Sequence, residues 1–525
     1  MKVNPSAPPA GKDAASPRPG AHADDAASNT GTSGTPSETL QLRKELGLLD
    51  SIVLVISIVS GSGIFISARG VLQYSGSVGV ALLTWALSGV VSLIGAITFS
   101  EFATMIPVSG GFYTYISVAF GPAPAFVHLW VNIIIVQPTM QVVNAYTFGY
   151  YVLRPFFPDD PPDAAIRLLA AALIVLLAWI NSRTVRVSVA LQNVLMIPKL
   201  MILAGIIITG LYYLATDLSP SYHHPFHHTR FYLPALITAF YQGIYTYDGW
   251  NNLNMVVEEI RNPSKIFALA SGVSMGILTV VFVLTNVAYF AVLTPEEVRT
   301  STAVALSFGN AAFGVLAITV PVAVAISALA SLNGQTFTQS RLVFVGARQR
   351  QLPKFLALIT IKRNTPAPAI IFMTMVTLVM LGTTDVYALI NCSSFSRSIS
   401  RIVATSGLLW LRYKKPEWKR PFKVWVVLPV VYLLVMVVLV TLPAVEEPVT
   451  VGVALAVIAS GILVFFLLAS HTGHSRRLDE ISGGYPRFTV VSHLLTHFQS
   501  SFLSLNRALH GFPILVSASD SLNRR

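Results

Sequence analysis

The chain has 525 residues, 54% of them hydrophobic and only 11% charged, with a formal net charge of +12. So much apolar surface excludes an ordinary soluble protein. The positive charge does not point to nucleic acid either, because the Lys and Arg residues sit in short loops between apolar runs rather than along one face of a folded domain. The single cysteine, Cys392, excludes an intramolecular disulfide and a cysteine-ligated metal site.

Residues 1–44 are rich in Pro, Ala, Ser, Gly and Thr and carry too few large apolar side chains to order themselves, so a disordered tail is predicted. No apolar core of a cleaved signal peptide precedes the first span, which is therefore expected to direct insertion. From residue 45 to 470, apolar runs of about twenty residues, the length that crosses a bilayer, recur about twelve times. Their centres fall near residues 58, 89, 135, 173, 202, 244, 280, 328, 374, 399, 434 and 459. The predicted fold class is an all-α integral membrane protein with about twelve transmembrane helices. Basic residues cluster in alternate loops: Arg183 and Arg186; Arg261 and Lys265; Arg341 to Arg363; and Arg412 to Lys423. Those loops and both termini are predicted cytosolic, since the intervening loops carry little beyond Arg69, Arg154, Arg230 and Arg299. Residues 471–525 form a polar tail in which Val491, Leu494, Leu495, Phe498, Phe502, Leu505 and Leu509 recur at helical spacing. An amphipathic helix is predicted there, lying on lipid, on a partner or on its own protein.

Two spans carry the means of breaking their own helix. The first contains Gly61-Ser62-Gly63-Ile64-Phe65 and the sixth Tyr247-Asp248-Gly249-Trp250. Backbone groups freed by a break are tolerated in lipid only where they line a cavity or hold a ligand, and interruptions at corresponding points of two halves point to a midplane substrate site. At the first break, N–H groups at the start of a half-helix suit an anion such as a carboxylate, and Ser62 adds a hydroxyl donor. A GxG sequence alone also serves close helix packing. At the second, Asp248 lies inside an apolar span, where a carboxylate costs about 2.5 to 3.5 kcal/mol on insertion scales. A substrate cation, a fixed Lys or Arg, or a water-filled cavity would offset that cost, and a local cap on the broken helix is the plainer alternative.

The run GSGIF, then YDGWNNLN followed by Glu258-Glu259-Ile260-Arg261-Asn262-Pro263, then Asn333-Gly334 leading to Ser340-Arg341-Leu342, then Thr365 to Phe372, resembles a light subunit of the heteromeric amino-acid transporters. Within that family, the aspartate at the YDGW position and the TPAPAIIF run resemble the system b(0,+) exchanger of cystine and dibasic amino acids. The resemblance implies a LeuT-like fold of two inverted five-helix repeats with helices 1 and 6 broken. It implies sodium-independent exchange of cationic amino acids and cystine against neutral ones at the plasma membrane. It assigns the substrate backbone to Val59, Ser60, Gly61, Ser62 and Gly63, an aromatic gate to Tyr245, and the cationic side chain to Asp248. Lys199 matches a lysine that, in the wider superfamily, takes the place of a sodium ion beside the first break, although a snorkelling side chain would look the same in sequence.

Two departures from the family stand out. Asp160 occupies the place of the external cysteine that bonds a heavy glycoprotein subunit, so any such partner is expected to be non-covalent. In the tenth span, Arg397 and Arg401 share a helical face, Arg397 about 16 Å into the span at 1.5 Å per residue, where the family has an almost uncharged helix. They line an aqueous vestibule, or pair with acids on neighbouring spans, or mark a transporter that no longer works and serves as a binding or scaffold subunit. The external His223, His224, His227 and His228 fit a solvated loop better than a metal site, with weak pH sensitivity a further possibility. No nucleophile and base pair or metal constellation occurs in the spans, so neither an enzyme nor a cofactor is expected. The expected partners are amino acids and membrane lipid.

Overall fold

A computed structural model describes residues 44–467, except 158–159, 217–219, 228, 230–231, 302, 361–364, 383–385 and 442–450, together with 514–515. The predicted N-terminal tail, the amphipathic helix near 491–509, Arg230 and His228 lie outside the described residues.

The described residues are helical almost throughout. In order the helices are α1 (Leu48–Val59), α2 (Gly63–Ser75), α3 (Val78–Met105), α4 (Phe112–Phe120), α5 (Pro122–Val131), α6 (Gln137–Leu153), α7 (Asp163–Arg183) and α8 (Val185–Ala215). Then follow α9 (Leu233–Thr246), α10 (Pro263–Val292), the short α11 (Pro295–Thr300) and α12 (Val304–Ala312), α13 (Thr319–Arg348), α14 (Ala367–Leu381), α15 (Val386–Lys414), α16 (Val427–Thr441) and α17 (Val451–Leu467). Among the described residues, six segments are long and apolar enough to cross a bilayer: α3, α5 with α6, α7, α8, α10 and α13 with the turn before it. The bent pair of α1 and α2 makes a seventh, and α14, α16 and α17 are shorter apolar helices. With α9 and α15, a helical segment covers each of the twelve expected centres. This is the helical membrane architecture anticipated from composition.

Local sequence explains the irregularities. Pro122, Pro263 and Pro295 begin their helices, where a missing N–H costs nothing. Pro138 falls inside the long third span, and the backbone just before it widens into a π-helical turn over Asn132–Val136. A proline ring there would otherwise clash with the carbonyl four residues back. Thr294 caps α11 with a capping box closed by Glu297.

At the end of the bundle rich in Lys and Arg, ion pairs, two of them buried and one half-buried, fasten the elements. Arg341 on α13 and Glu259 are each 1% exposed, with Nε to Oε1 at 2.7 Å and Nη2 to Oε2 at 3.2 Å. Arg348 pairs with Glu258 at 2.6 Å, and Glu258 also accepts the Ser109 N–H at 3.1 Å. Fully buried Glu101 on α3 accepts from Arg412 at the end of α15 and from the Val424 N–H at 2.9 Å. These contacts hold the segment after the second break against α13 and the end of α15 against α3.

A buried pair is exposed by removing one member, which strands the other charge. Arg341→Met should therefore cost about 3 to 5 kcal/mol and lower the apparent unfolding temperature in detergent, whereas adding Glu259→Gln should recover most of the loss. A single variant as stable as the parent would show that the pair carries little.

Candidate substrate site at the two helix breaks

The α1 helix ends at Val59 and α2 starts at Gly63 with its axis turned by 47°. Such a turn leaves the last carbonyls of α1 and the first N–H groups of α2 without helical partners. Neighbouring helices supply the donors. Lys199 on α8, fully buried, donates to the Ser57 carbonyl at 2.9 Å. On α13, Ser331 donates to Ile58 O at 2.8 Å and Ser327 to Ser60 O at 2.7 Å. Ser60 N donates back to Ile56 O at 2.9 Å. Lys199 thus lies against the break, enclosed by protein rather than reaching outward. Among the described residues no side chain caps the start of α2; the Phe65 N–H donates to Ser62 O at 3.1 Å, and the Ser62 hydroxyl donates weakly to Asn144 Oδ1 on α6 at 3.4 Å. The start of a helix, where N–H groups and the positive end of the dipole point outward, is the end that suits an anion.

Close packing accounts for the glycines. A Cβ on Gly61 would stand 2.8 Å from Ser331 Oγ, and one on Gly334 of α13 would stand 2.5 Å from Ile58. Gly63 faces Thr246, the last residue of α9, so the two breaks lie side by side.

At the second break, α9 stops at Thr246 and a 3-10 stretch, Trp250–Glu259, takes over. Gly249 makes the corner with φ +113°, and its Cβ would meet Ile58 at 2.8 Å. Tyr247 is buried against Trp85 and Phe282 with ring centroids 6.1 and 5.0 Å away. Asp248, also buried, accepts the Gly249 N–H at 2.8 Å and meets both arginines of α15. Arg397 Nη1 lies 2.6 Å from Oδ2, and Arg401 Nη2 donates to Oδ1. Arg397 stands 5.7 Å from the centroid of half-buried Tyr245, and Arg401 stands 5.8 Å from that of Trp250. The charge that sequence reasoning placed opposite a cationic ligand is therefore opposite the protein's own arginines. Of the three readings of the tenth span, pairing with an acid on a neighbouring span is the arrangement found.

A small cavity of about 40 Å³ adjoins this cluster, with Asn132, Gln137, Gln335, Gln339 and Ser400 among its walls. It has room for about three water molecules. Nε of Arg397 and of Arg401 is buried with no hydrogen-bond partner among the described residues.

The structure brings together Val59, Ser60, Gly61, Ser62, Gly63, Tyr245, Asp248 and Lys199. Sequence reasoning missed the polar face of α13, where Ser327, Ser331, Gln335 and Gln339 recur at four-residue spacing on one side of an apolar helix. That periodicity was the available signal. Asp160 is exposed and accepts from the Tyr150 hydroxyl at 3.0 Å, while Cys392 is buried within α15. Among the described residues, no group of three or more His, Cys, Asp or Glu is placed to hold a metal ion.

The chain belongs to the Amino acid permease family, whose pattern it matches over residues 46–467. It is 40% identical over 455 residues to the large neutral amino acids transporter small subunit 2 of Homo sapiens, covering 86% of this chain and 84% of the relative. It is 39% identical over 431 residues to the cystine/glutamate transporter of Homo sapiens, covering 82% and 86%. It is 40% identical over 436 residues to the Asc-type amino acid transporter 1 of Mus musculus, covering 82% of each chain. The family expected from the sequence motifs is the one found.

The left-handed corner yields a stability test. An L side chain in that region costs about 1 to 2 kcal/mol before any overlap with Ile58, so Gly249→Ala should lower the apparent unfolding temperature measurably. Gly272→Ala, where an added Cβ has nothing within 4 Å, should not. Equal stability of the two variants would contradict the described break.

Proposed function

We propose that the chain is a sodium-independent amino-acid exchanger of the plasma membrane, multi-pass with both termini cytosolic, whose side-chain subsite favours acidic and neutral amino acids, cystine included, over dibasic ones. The N–H groups at the start of α2 and the carbonyls ending α1 would hold the substrate's carboxylate and ammonium, as in the expectation for Val59 to Gly63. The observation that carries the side-chain preference is the charge count beside Tyr245: two guanidinium groups share one carboxylate, leaving a net charge of +1. A substrate ammonium about 5 Å from that excess would be opposed by roughly 3 kcal/mol at an effective dielectric of 20. An anionic side chain would be favoured by a similar amount. This reverses the dibasic part of the sequence expectation and retains cystine. The relative named cystine/glutamate transporter lends the reading independent support.

The same ion cluster counts against a degenerate tenth span. An abandoned segment has no reason to place two arginines on the two oxygens of one buried acid. A heavy glycoprotein subunit, if present, is proposed to bind without a disulfide, since Asp160 and not a cysteine stands at the external position.

Proteoliposomes preloaded with leucine test the proposal. They should take up labelled glutamate, cystine and leucine equally well with sodium replaced by choline, and arginine should compete at least about tenfold more weakly than glutamate, as an opposing term above 1.4 kcal/mol requires. Arginine competing as well as leucine would overturn the charge assignment. No counterflow of any amino acid would favour a transport-inactive subunit.

A further inference from the structure

Two arginines against one carboxylate leave donors to spare. Arg397 Nη1 is 2.6 Å from Asp248 Oδ2, its Nη2 donates to the neutral Ser394 hydroxyl at 3.1 Å, and its Nε has no partner among the described residues. A guanidinium presents five N–H donors in a fork that matches a carboxylate. Arg397 therefore retains the capacity to bind a carboxylate more fully than Asp248 does.

The two arginines are not equivalent. Arg401 has a side chain 5% exposed and lies over Trp250, beyond the break, where it shares Asp248 Oδ1 with the Gly249 N–H. Arg397 is 11% exposed and lies over Tyr245, on the α9 side. Gly63 of the first break faces Thr246 on that same side. Arg397 is thus the more accessible of the two arginines and the one beside Tyr245.

We propose that Asp248 is a resident carboxylate that stands in for the side-chain carboxylate of an acidic substrate. With the site empty it engages both arginines. An acidic amino acid takes Arg397 from it, while Arg401 and the Gly249 N–H keep Asp248 in place. Affinity for an acidic substrate is then the difference between two carboxylates competing for one guanidinium, and a neutral substrate leaves the bridge intact. The exchange also frees α15 from the second break at one of its two tethers, so that side-chain binding and helix coupling become one event. The proposal rests on the reading of this subsite as one for acidic side chains.

The test measures inhibition constants of glutamate and leucine on the reconstituted full chain for the parent, Asp248→Asn, the charge-balanced Asp248→Asn/Arg401→Met, and Arg397→Gln. Removing the competing carboxylate should tighten glutamate about tenfold, the scale of one charge-assisted hydrogen bond, in both Asp248 variants, with leucine changed less than about threefold. Arg397→Gln should abolish glutamate inhibition and spare leucine. Glutamate unchanged or weaker in both Asp248 variants, with leucine retained, overturns the proposal. Failure of both Asp248 variants to insert while Arg397→Gln inserts normally also overturns it, because Asp248 would then be a fixed structural partner. A parent that does not respond to glutamate refutes the acidic-substrate reading separately. In that case glutamate inhibition appearing in the Asp248 variants sustains the resident-carboxylate proposal, and none appearing ends it.

Discussion

Inside a bilayer every charge and every freed backbone group must find its partner within the protein, and that constraint organises this molecule. Breaking α1 releases carbonyls that no water can reach, and Lys199, Ser327 and Ser331 meet them from two other helices. Breaking the sixth span brings in a carboxylate, and α15 answers with Arg397 and Arg401. The first set of partners is neutral apart from one lysine; the second carries a surplus of positive charge. On the proposed reading this difference divides the labour: the first break would hold the groups common to all amino acids, and the second would distinguish their side chains.

Small residues make this proximity possible. Gly61, Gly63, Gly249 and Gly334 each lie where an added Cβ would press on the neighbouring helix, so the two breaks and α13 approach more closely than larger side chains would allow. The polar face of α13 then runs past both breaks, with Ser327 and Ser331 on the first and Thr338 donating to Asn252 at 3.1 Å near the second. At the basic end, Glu259 with Arg341 and Glu101 with Arg412 fix the ends of the broken and arginine-bearing segments. Ion pairs therefore tie the elements together at one end and the Asp248 cluster ties them in the middle.

The spans and both breaks were legible in the sequence because they are local: apolar length marks the first, and glycine beside a polar residue in an apolar run marks the second. Asp248, Arg397, Arg401 and Lys199 were visible as charges at unlikely depth. That the arginines could pair with an acid, and Asp248 with a fixed arginine, was among the readings the sequence left open; that they pair with each other was not legible, since Asp248 and Arg401 are 153 residues apart and only the packed bundle sets them face to face. The missing register changed the sign of the inference: read alone, Asp248 calls for a cationic substrate, and read with its partners it leaves a positive subsite. Glu101 was likewise overlooked, although an acid in the last turns of an otherwise apolar α3 was a signal in itself.

Arg397 is proposed to read the far end of the substrate, and an experimental structure of the reconstituted chain with glutamate bound tests this most directly. The α-carboxylate should lie on the N–H groups at the start of α2, and the side-chain carboxylate within hydrogen-bond distance of the Arg397 guanidinium. A bound glutamate whose side chain points elsewhere, with both arginines still on Asp248, would contradict it.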